Sequence, residues 1–452
     1  MIADIFGPHL SVVKIRGVER YPKTDGFSLD VVSTVPHDFL AARLPVYDLA
    51  AHSVAAVEAA ADTVREGLGV APHGAALRPE RIAASFSGDK VFRVDGRPVS
   101  AFAELSGFFA TSDGWVRTHA NHPHHRARLL DALGLDKTCD GDRFRRHVET
   151  LAAADIEDRA AAAGAIAVRV RTHEDWAASE PGVAAASGEL VTVRERADRG
   201  RVRVSGTGSA PLDGVRVLDL TRVIAGPVAS RALALLGADV LRIDPPQLPE
   251  IEWQHRETGQ GKRSALLDLR DPLARNRFRE LLADADVLLT GYRPGALEAL
   301  IGEPSAVRPG LVHGRVCAWG RTGPWAGRRG FDSIVQAASG ISLIEGDDER
   351  PGALPAQVLD HASGYLSAAG VVDALVAGRG DGVGRDVDVA LARTAAWLLD
   401  RPDRRQSPPS ARVPGPDTVA THGEITTARP ALAEYDDYPF PAHAWGADAP
   451  RW

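Results

Sequence analysis

A single carboxylate stands at the start of a small-residue helix in the run Leu354-Pro355-Ala356-Gln357-Val358-Leu359-Asp360-His361-Ala362-Ser363-Gly364-Tyr365. The apolar pattern from Leu366 to Val376 predicts the helix, which puts Asp360 at its entrance. Two roles fit. As an N-cap, Asp360 accepts a backbone N–H for about 1 kcal/mol, and position alone favours this. As an ionised group at the positive end of a helix, it can also serve as a nucleophile. His361 adjoins it, but successive helical residues need not face one pocket, so His361 reads as a supporting residue. His119, His122, His124 and His125 form the other dense titratable group. With Pro123 interrupting them and no carboxylate or cysteine at ligand spacing, they read as a surface or domain-contact cluster, with no metal site. Asp332 is a candidate cap for a helix running to Ser339, and Gln336 a candidate pocket residue.

The clearest positioning element lies upstream, in LDGVRVLDLTRVIAGPVASRALALLGADVLRIDP from Leu212 to Pro245. Val215, Val217, Leu218 and Leu220 predict a strand, Ala229 to Leu236 a helix stopped by Gly237, and Asp239 to Ile243 a second strand. The two strands should be parallel, joined by a right-handed crossover. Between strand and helix, Thr221-Arg222-Val223-Ile224-Ala225-Gly226-Pro227 has one glycine where a dinucleotide site needs Gly-x-Gly-x-x-Gly, and there is no phosphate-binding Gly-x-x-x-x-Gly-Lys-Ser/Thr loop. NAD, FAD and P-loop nucleotide hydrolysis are poor fits.

The block resembles the opening of the family III CoA-transferases (the CaiB/BaiF type), which include formyl-CoA and carnitine CoA-transferases and the related 2-methylacyl-CoA racemases. Further motifs follow in family order: Gly261-Lys262-Arg263-Ser264 with Leu267-Asp268-Leu269-Arg270, then Asp286-Val287-Leu288-Leu289 with Gly291-Tyr292-Arg293-Pro294-Gly295-Ala296-Leu297, then Trp319-Gly320-Arg321-Thr322-Gly323-Pro324 and Phe331-Asp332-Ser333. The resemblance runs from Leu212 to about Leu399 and implies an α/β fold, with a Rossmann-like large domain built on a parallel sheet and a smaller α+β domain. It turns the balance at Asp360 toward the nucleophile. It also implies CoA contacts at Arg222, Val223, Ile224 and Ala225, at Leu267, Asp268, Leu269 and Arg270, at Gly291, Tyr292 and Arg293, and at Arg329 and Phe331. Guanidinium forks suit the phosphates of CoA.

The implied activity moves CoA from an acyl-CoA donor to a carboxylic acid acceptor through an aspartyl-CoA thioester on Asp360, with no cofactor beyond CoA as substrate. The resemblance further implies a homodimer, interlocked in the manner of family members. Racemisation or epimerisation of a 2-substituted acyl-CoA is the enzyme alternative. Where racemases have Gly-His-Asp, this chain has Gly330-Phe331-Asp332, and phenylalanine carries no proton. A noncatalytic CoA-binding subunit of a transferase complex is the alternative from another class.

The 452 residues are 44% hydrophobic and 25% charged, which suits two or three globular domains. A net charge of −7 disfavours nucleic-acid and anionic-membrane partners. Cys139 and Cys317 are too few for a disulfide framework, and no long apolar run appears, so the expectation is a cytoplasmic protein. Ser205-Gly206-Thr207-Gly208-Ser209-Ala210-Pro211 reads as a linker. The expected domains are 1–204, the smaller α+β domain; 205–211, the linker; 212–400, the CoA-binding and catalytic domain; and 401–452, an extended tail wrapping a partner or the other domain. The run from Arg401 to Thr427 is expected to lack regular structure. Asp113-Gly114-Trp115-Val116 and Ala162-Ala163-Gly164-Ala165 resemble the family's smaller domain, which in the usual order follows the catalytic half and here precedes it.

Overall fold

The computed structural model describes residues 38–74, 77–99 and 102–452, so the part of the first expected domain at 1–37 lies outside the described residues. The elements that bear on the site are helices α1 (Val46–Gly67) and α2 (Pro123–Ala132), strands β1 (Val191–Arg199) and β2 (Arg216–Asp219), helix α3 (Ala225–Leu235), strands β3 (Asp239–Asp244), β4 (Lys262–Leu266), β5 (Val287–Thr290) and β6 (Val312–Cys317), helices α4 (Asp332–Ser339) and α5 (Val358–Asp381), and strand β7 (Val383–Ala390).

The seven strands form one sheet in the order β1-β7-β6-β5-β2-β3-β4, all parallel except β1, which runs antiparallel to β7 at the edge. After β2 the chain moves through β3 to β4 on one side, then returns to place β5 on the other side of β2. Strand order therefore reverses at the β5/β2 pair, where open parallel sheets leave a crevice beyond the carboxyl ends of the strands. Both faces of the sheet are covered. Val217, Val240 and Val287 belong to one core cluster and Leu218, Leu241 and Leu288 to another, as strand alternation dictates.

Two antiparallel sheets complete the α/β fold. Phe108–Thr111, Gly114–Thr118 and Ala167–Arg169 make one, over a separate core around Leu129, Phe144 and Ile156. The other joins Arg93–Val94 and Arg97–Pro98 to a hairpin of Val419–His422 and Ile425–Ala428.

Several local expectations shift. The 205–211 segment is crossed by structure: β1, which precedes it, belongs to the large sheet, and α1 packs on α5 within the same core. Its alternation of exposed charges is what an edge strand carries. Pro123 opens α2 instead of interrupting it, because the first helical turn needs no donor there. Gly226-Pro227 likewise sits inside the first turn of α3, not in the preceding loop. The run from Arg401 to Thr427 contains strand Val419–His422, contrary to its expected irregularity. The tail lies along its own chain: Trp445 Nε1 donates to Asp244 at 3.2 Å and Trp452 Nε1 to the Leu281 carbonyl at 2.9 Å.

Candidate active site

The four segments singled out for CoA follow the carboxyl ends of β2, β4, β5 and β6, so the topology gathers them on one edge of the sheet. The loop after β2 is the most constrained. Asp219 accepts from Thr221 N–H at 2.8 Å and from Ser230 Oγ at 2.5 Å, and Lys262 Nζ reaches Ser230 Oγ at 2.8 Å and Asp219 at 3.3 Å. Burial pushes the Lys262 ammonium down to about 8, with Asp219 opposing. The lysine of the second motif thus anchors the first loop from beneath.

A second buried network holds the loop from the other side. Arg242 donates to Asp244 at 2.7 Å and to Glu250 at 3.0 Å, and Glu250 accepts the Val223 N–H at 3.2 Å and Arg222 Nε at 3.4 Å. Burial acts to raise the Glu250 carboxyl, but Arg242 and Arg222 outweigh it and hold it down to about 2. The backbone at Val223 has φ +72°, a region that costs a β-branched residue about 1–3 kcal/mol and persists only where surroundings enforce it.

Asp360 reaches this loop because α5 and α3 approach closely. Gly364, one turn along from Asp360 on the same face, lies against the N-terminal turn of α3, where a Cβ would fall 2.5 Å from the Ala225 carbonyl oxygen. The expected N-cap role of Asp360 does not hold. Gln357 occupies the cap position and Asp360 is the third residue of the helix. The capping carboxylate comes from another helix: Asp332, first residue of α4 and wholly buried, accepts the Asp360 N–H at 3.0 Å. Gln336 also donates to Asp332, and its Oε1 accepts from Leu354 N–H at 2.9 Å.

Among the described residues no donor reaches the Asp360 carboxylate. Burial, and then the charge of Asp332, raise its pKa well above the ordinary carboxylate range, while burial pushes Asp332 up to about 6. Such a pair favours holding one proton between two acids over being doubly ionised. The Asp360 side chain opens onto a cleft that Val223, Ile224 and Phe331 also line.

The remaining candidates stand apart from that cleft. Arg222 is engaged by Glu250 and by the Pro249 carbonyl, and Ala225 is buried at the start of α3. Leu267 and Leu269 pack against the core, and Asp268 pairs with the exposed Arg270 at 2.8 Å. Gly291, Tyr292 and Arg293 lie exposed beyond β5. Arg329 donates to the Gly164 carbonyl at 2.8 Å, joining the large sheet's loops to the first part of the chain.

The histidine cluster is expected at a surface or domain contact. It is a domain contact within the cleft itself. The His119 ring stacks on Phe331 at 3.9 Å and 17°, and His119 and His122 line the cleft with Asp360. His361 lines it too, its ring tilted by 30° to that of Phe86 at 5.1 Å. Burial pushes His119 and His361 down to about 3, so both rings are neutral near pH 7. No local signal in the sequence joins His119 to Phe331, which lie on either side of the 205–211 segment.

Residues 212–419 match the model of CoA-transferase family III. This segment belongs to CoA-transferase family III. Among curated relatives of the family III segment, a probable fatty acyl-CoA transferase of Mycobacterium tuberculosis is 34% identical over 205 residues, covering 42% of this chain and 52% of the relative. The succinyl-CoA–D-citramalate CoA-transferase of Chloroflexus aurantiacus is 36% identical over 206 residues, covering 42% of this chain and 51% of its own length. The crystal structure of a CaiB/BaiF family protein from Brucella suis is 29% identical with a TM-score of 0.40, covering 42% of this chain and 56% of that one. The chain thus spans about half the length of the relatives it matches.

Proposed function

We propose that this chain is a family III CoA-transferase whose nucleophile is Asp360. The observation that carries the reading is a buried carboxylate, free of donors among the described residues, opening onto a cleft beside the strained Val223–Ile224 loop of the family III segment. A carboxylate oxygen of Asp360 attacks the thioester carbonyl carbon; the carbon–sulfur bond breaks, giving a mixed anhydride and CoA thiolate. The thiolate then attacks the Asp360 carboxyl carbon, the anhydride carbon–oxygen bond breaks, and the donor acid leaves as its carboxylate. An acceptor acid reverses both steps on the aspartyl-CoA thioester. CoA acts as substrate and the proposal requires no further cofactor.

Asp332 supports the chemistry in two ways. It fixes the Asp360 backbone, and its charge keeps Asp360 from the deeply ionised, unreactive state of a carboxylate held by several donors. The apolar wall of the cleft limits water at the anhydride. Alongside this we place CoA along the carboxyl edge of the sheet, and the chain in a cytoplasmic homodimer, a state that sedimentation of the purified protein tests.

One observation favours a second reading. His119 stacked on Phe331 returns an imidazole to the cleft from another part of the chain, and an imidazole with a carboxylate is what exchange of an α-proton needs. Incubation of a 2-methylacyl-CoA in D2O separates the two: transfer gives CoA release to an acceptor acid without α-deuterium, and racemisation gives deuterium without CoA release. The transfer reading fails if the wild-type chain exchanges the α-proton and passes CoA to no acceptor.

A further inference from the structure

Resting on transfer at Asp360, we infer that the acyl group taken by this cleft is apolar and carries no second carboxylate, so that the substrates are thioesters of hydrocarbon or aryl monocarboxylic acids. The wall beside Asp360 is formed by Phe102, Val223, Ile224, Ile251, Trp253 and Phe331. Among the described residues, none that lines the cleft is an arginine or lysine, whereas Asp89 adds an acidic group to that of Asp360, and the Glu257 carboxylate is already paired with Arg231.

Among the described residues, four cations near the cleft face other groups, the first being Lys90, whose Nζ donates to the Pro355 carbonyl at 2.5 Å. Arg231 donates to Glu257 at 2.9 Å and to Gln260 at 2.9 Å from the buried side. Arg222 is held by Glu250 and the Pro249 carbonyl. The Arg117 guanidinium lies over the rings of Phe102, at 5.3 Å, and Phe108, at 4.7 Å. The histidines facing the cleft supply no charge either, since burial lowers the pKa of His119, His122 and His361 alike. Asn121, Gln254 and Gln357 offer hydrogen bonds but do not neutralise an anion. A distal carboxylate on the acyl group would lose its water and meet like charge, whereas a hydrocarbon or aryl group meets aromatic and branched side chains of its own kind.

The test compares isobutyryl-CoA, benzoyl-CoA and succinyl-CoA. Binding is measured by calorimetry to the full chain carrying Asp360→Asn, which keeps the cleft and removes the nucleophile; single-turnover CoA release is measured with the unaltered chain. Apolar thioesters are expected to bind tighter than succinyl-CoA by about 100-fold. Ile251→Arg, which brings a cation to the wall, is expected to shrink or invert that ratio. Succinyl-CoA binding as tightly as isobutyryl-CoA, with the Ile251→Arg ratio unmoved, overturns the inference even when Asp360 is labelled normally. A preference for apolar thioesters without any CoA release from the unaltered chain upholds the inference for the cleft and removes the transferase reading instead.

Discussion

Gly364→Ala is the most quantitative probe of how Asp360 is placed. The added methyl falls 2.5 Å from the Ala225 carbonyl oxygen, 2.8 Å from Val228 Cβ and 2.9 Å from Val228 Cγ1. Carbon atoms settle at about 3.5–4.0 Å, so α5 must retreat from α3 by about 1 Å. Overpacking of this kind costs about 1–3 kcal/mol. Alanine, however, gains about 1 kcal/mol over glycine in a helix interior. Net destabilisation is therefore small, about 0–2 kcal/mol. The rate has no such compensation. A 1 Å displacement of a reacting group lowers a rate by about 100-fold, and Asp360 rides on the same helical face one turn away. Single-turnover CoA release, followed with a thiol reagent beside a denaturant melt of the same sample, separates the two effects. A variant that folds normally and releases CoA at the wild-type rate refutes the claim that this helix contact positions the nucleophile.

Three other perturbations follow from the same geometry. Asp332→Asn keeps an acceptor for the Asp360 N–H but removes the charge that helps raise the Asp360 pKa; since the nucleophile must be ionised, the acid limb of the pH–rate profile is expected to move to lower pH, and an unmoved limb contradicts the coupling. Arg242→Met strands the carboxylates of Asp244 and Glu250 in the interior and is expected to cost about 3–5 kcal/mol in chemical denaturation, where a loss below about 1 kcal/mol counts against the network. Glu58 on α1 is raised to about 9 by burial and then by Glu434 of the tail, from an ordinary 4.5. The folded chain keeps this proton while the unfolded chain loses it, so stability falls as pH rises between those values; Glu58→Gln is expected to raise the melting temperature at pH 8 and leave it unchanged at pH 4.

What the sequence made legible was local. Buried parallel strands are nearly continuous in Val and Leu, so β2 and β3 announced themselves, and the loops at their ends could be named from motifs within a few residues of each strand. The carboxylate at the start of α5 was visible for the same reason. The contacts that were missed are between distant segments. Capping is ordinarily read from the residue preceding a helix, yet here the capping oxygen belongs to Asp332, on another helix. β1 reads as a charged run, VTVRERADR, because an edge strand shows much of its surface to water and carries charge against mispairing. His119 stacks on Phe331 across the 205–211 segment, where neither periodicity nor spacing carries information.

The central claim is that Asp360 forms a covalent link to CoA, and intact-protein mass spectrometry tests it most directly. The full-length chain is mixed with isobutyryl-CoA and quenched in acid, and the modified peptide is then mapped. A CoA adduct is expected on Asp360, lost on addition of an acceptor acid and absent in Asp360→Asn. An adduct that persists in Asp360→Asn, or CoA transfer by that variant at the wild-type rate, contradicts it.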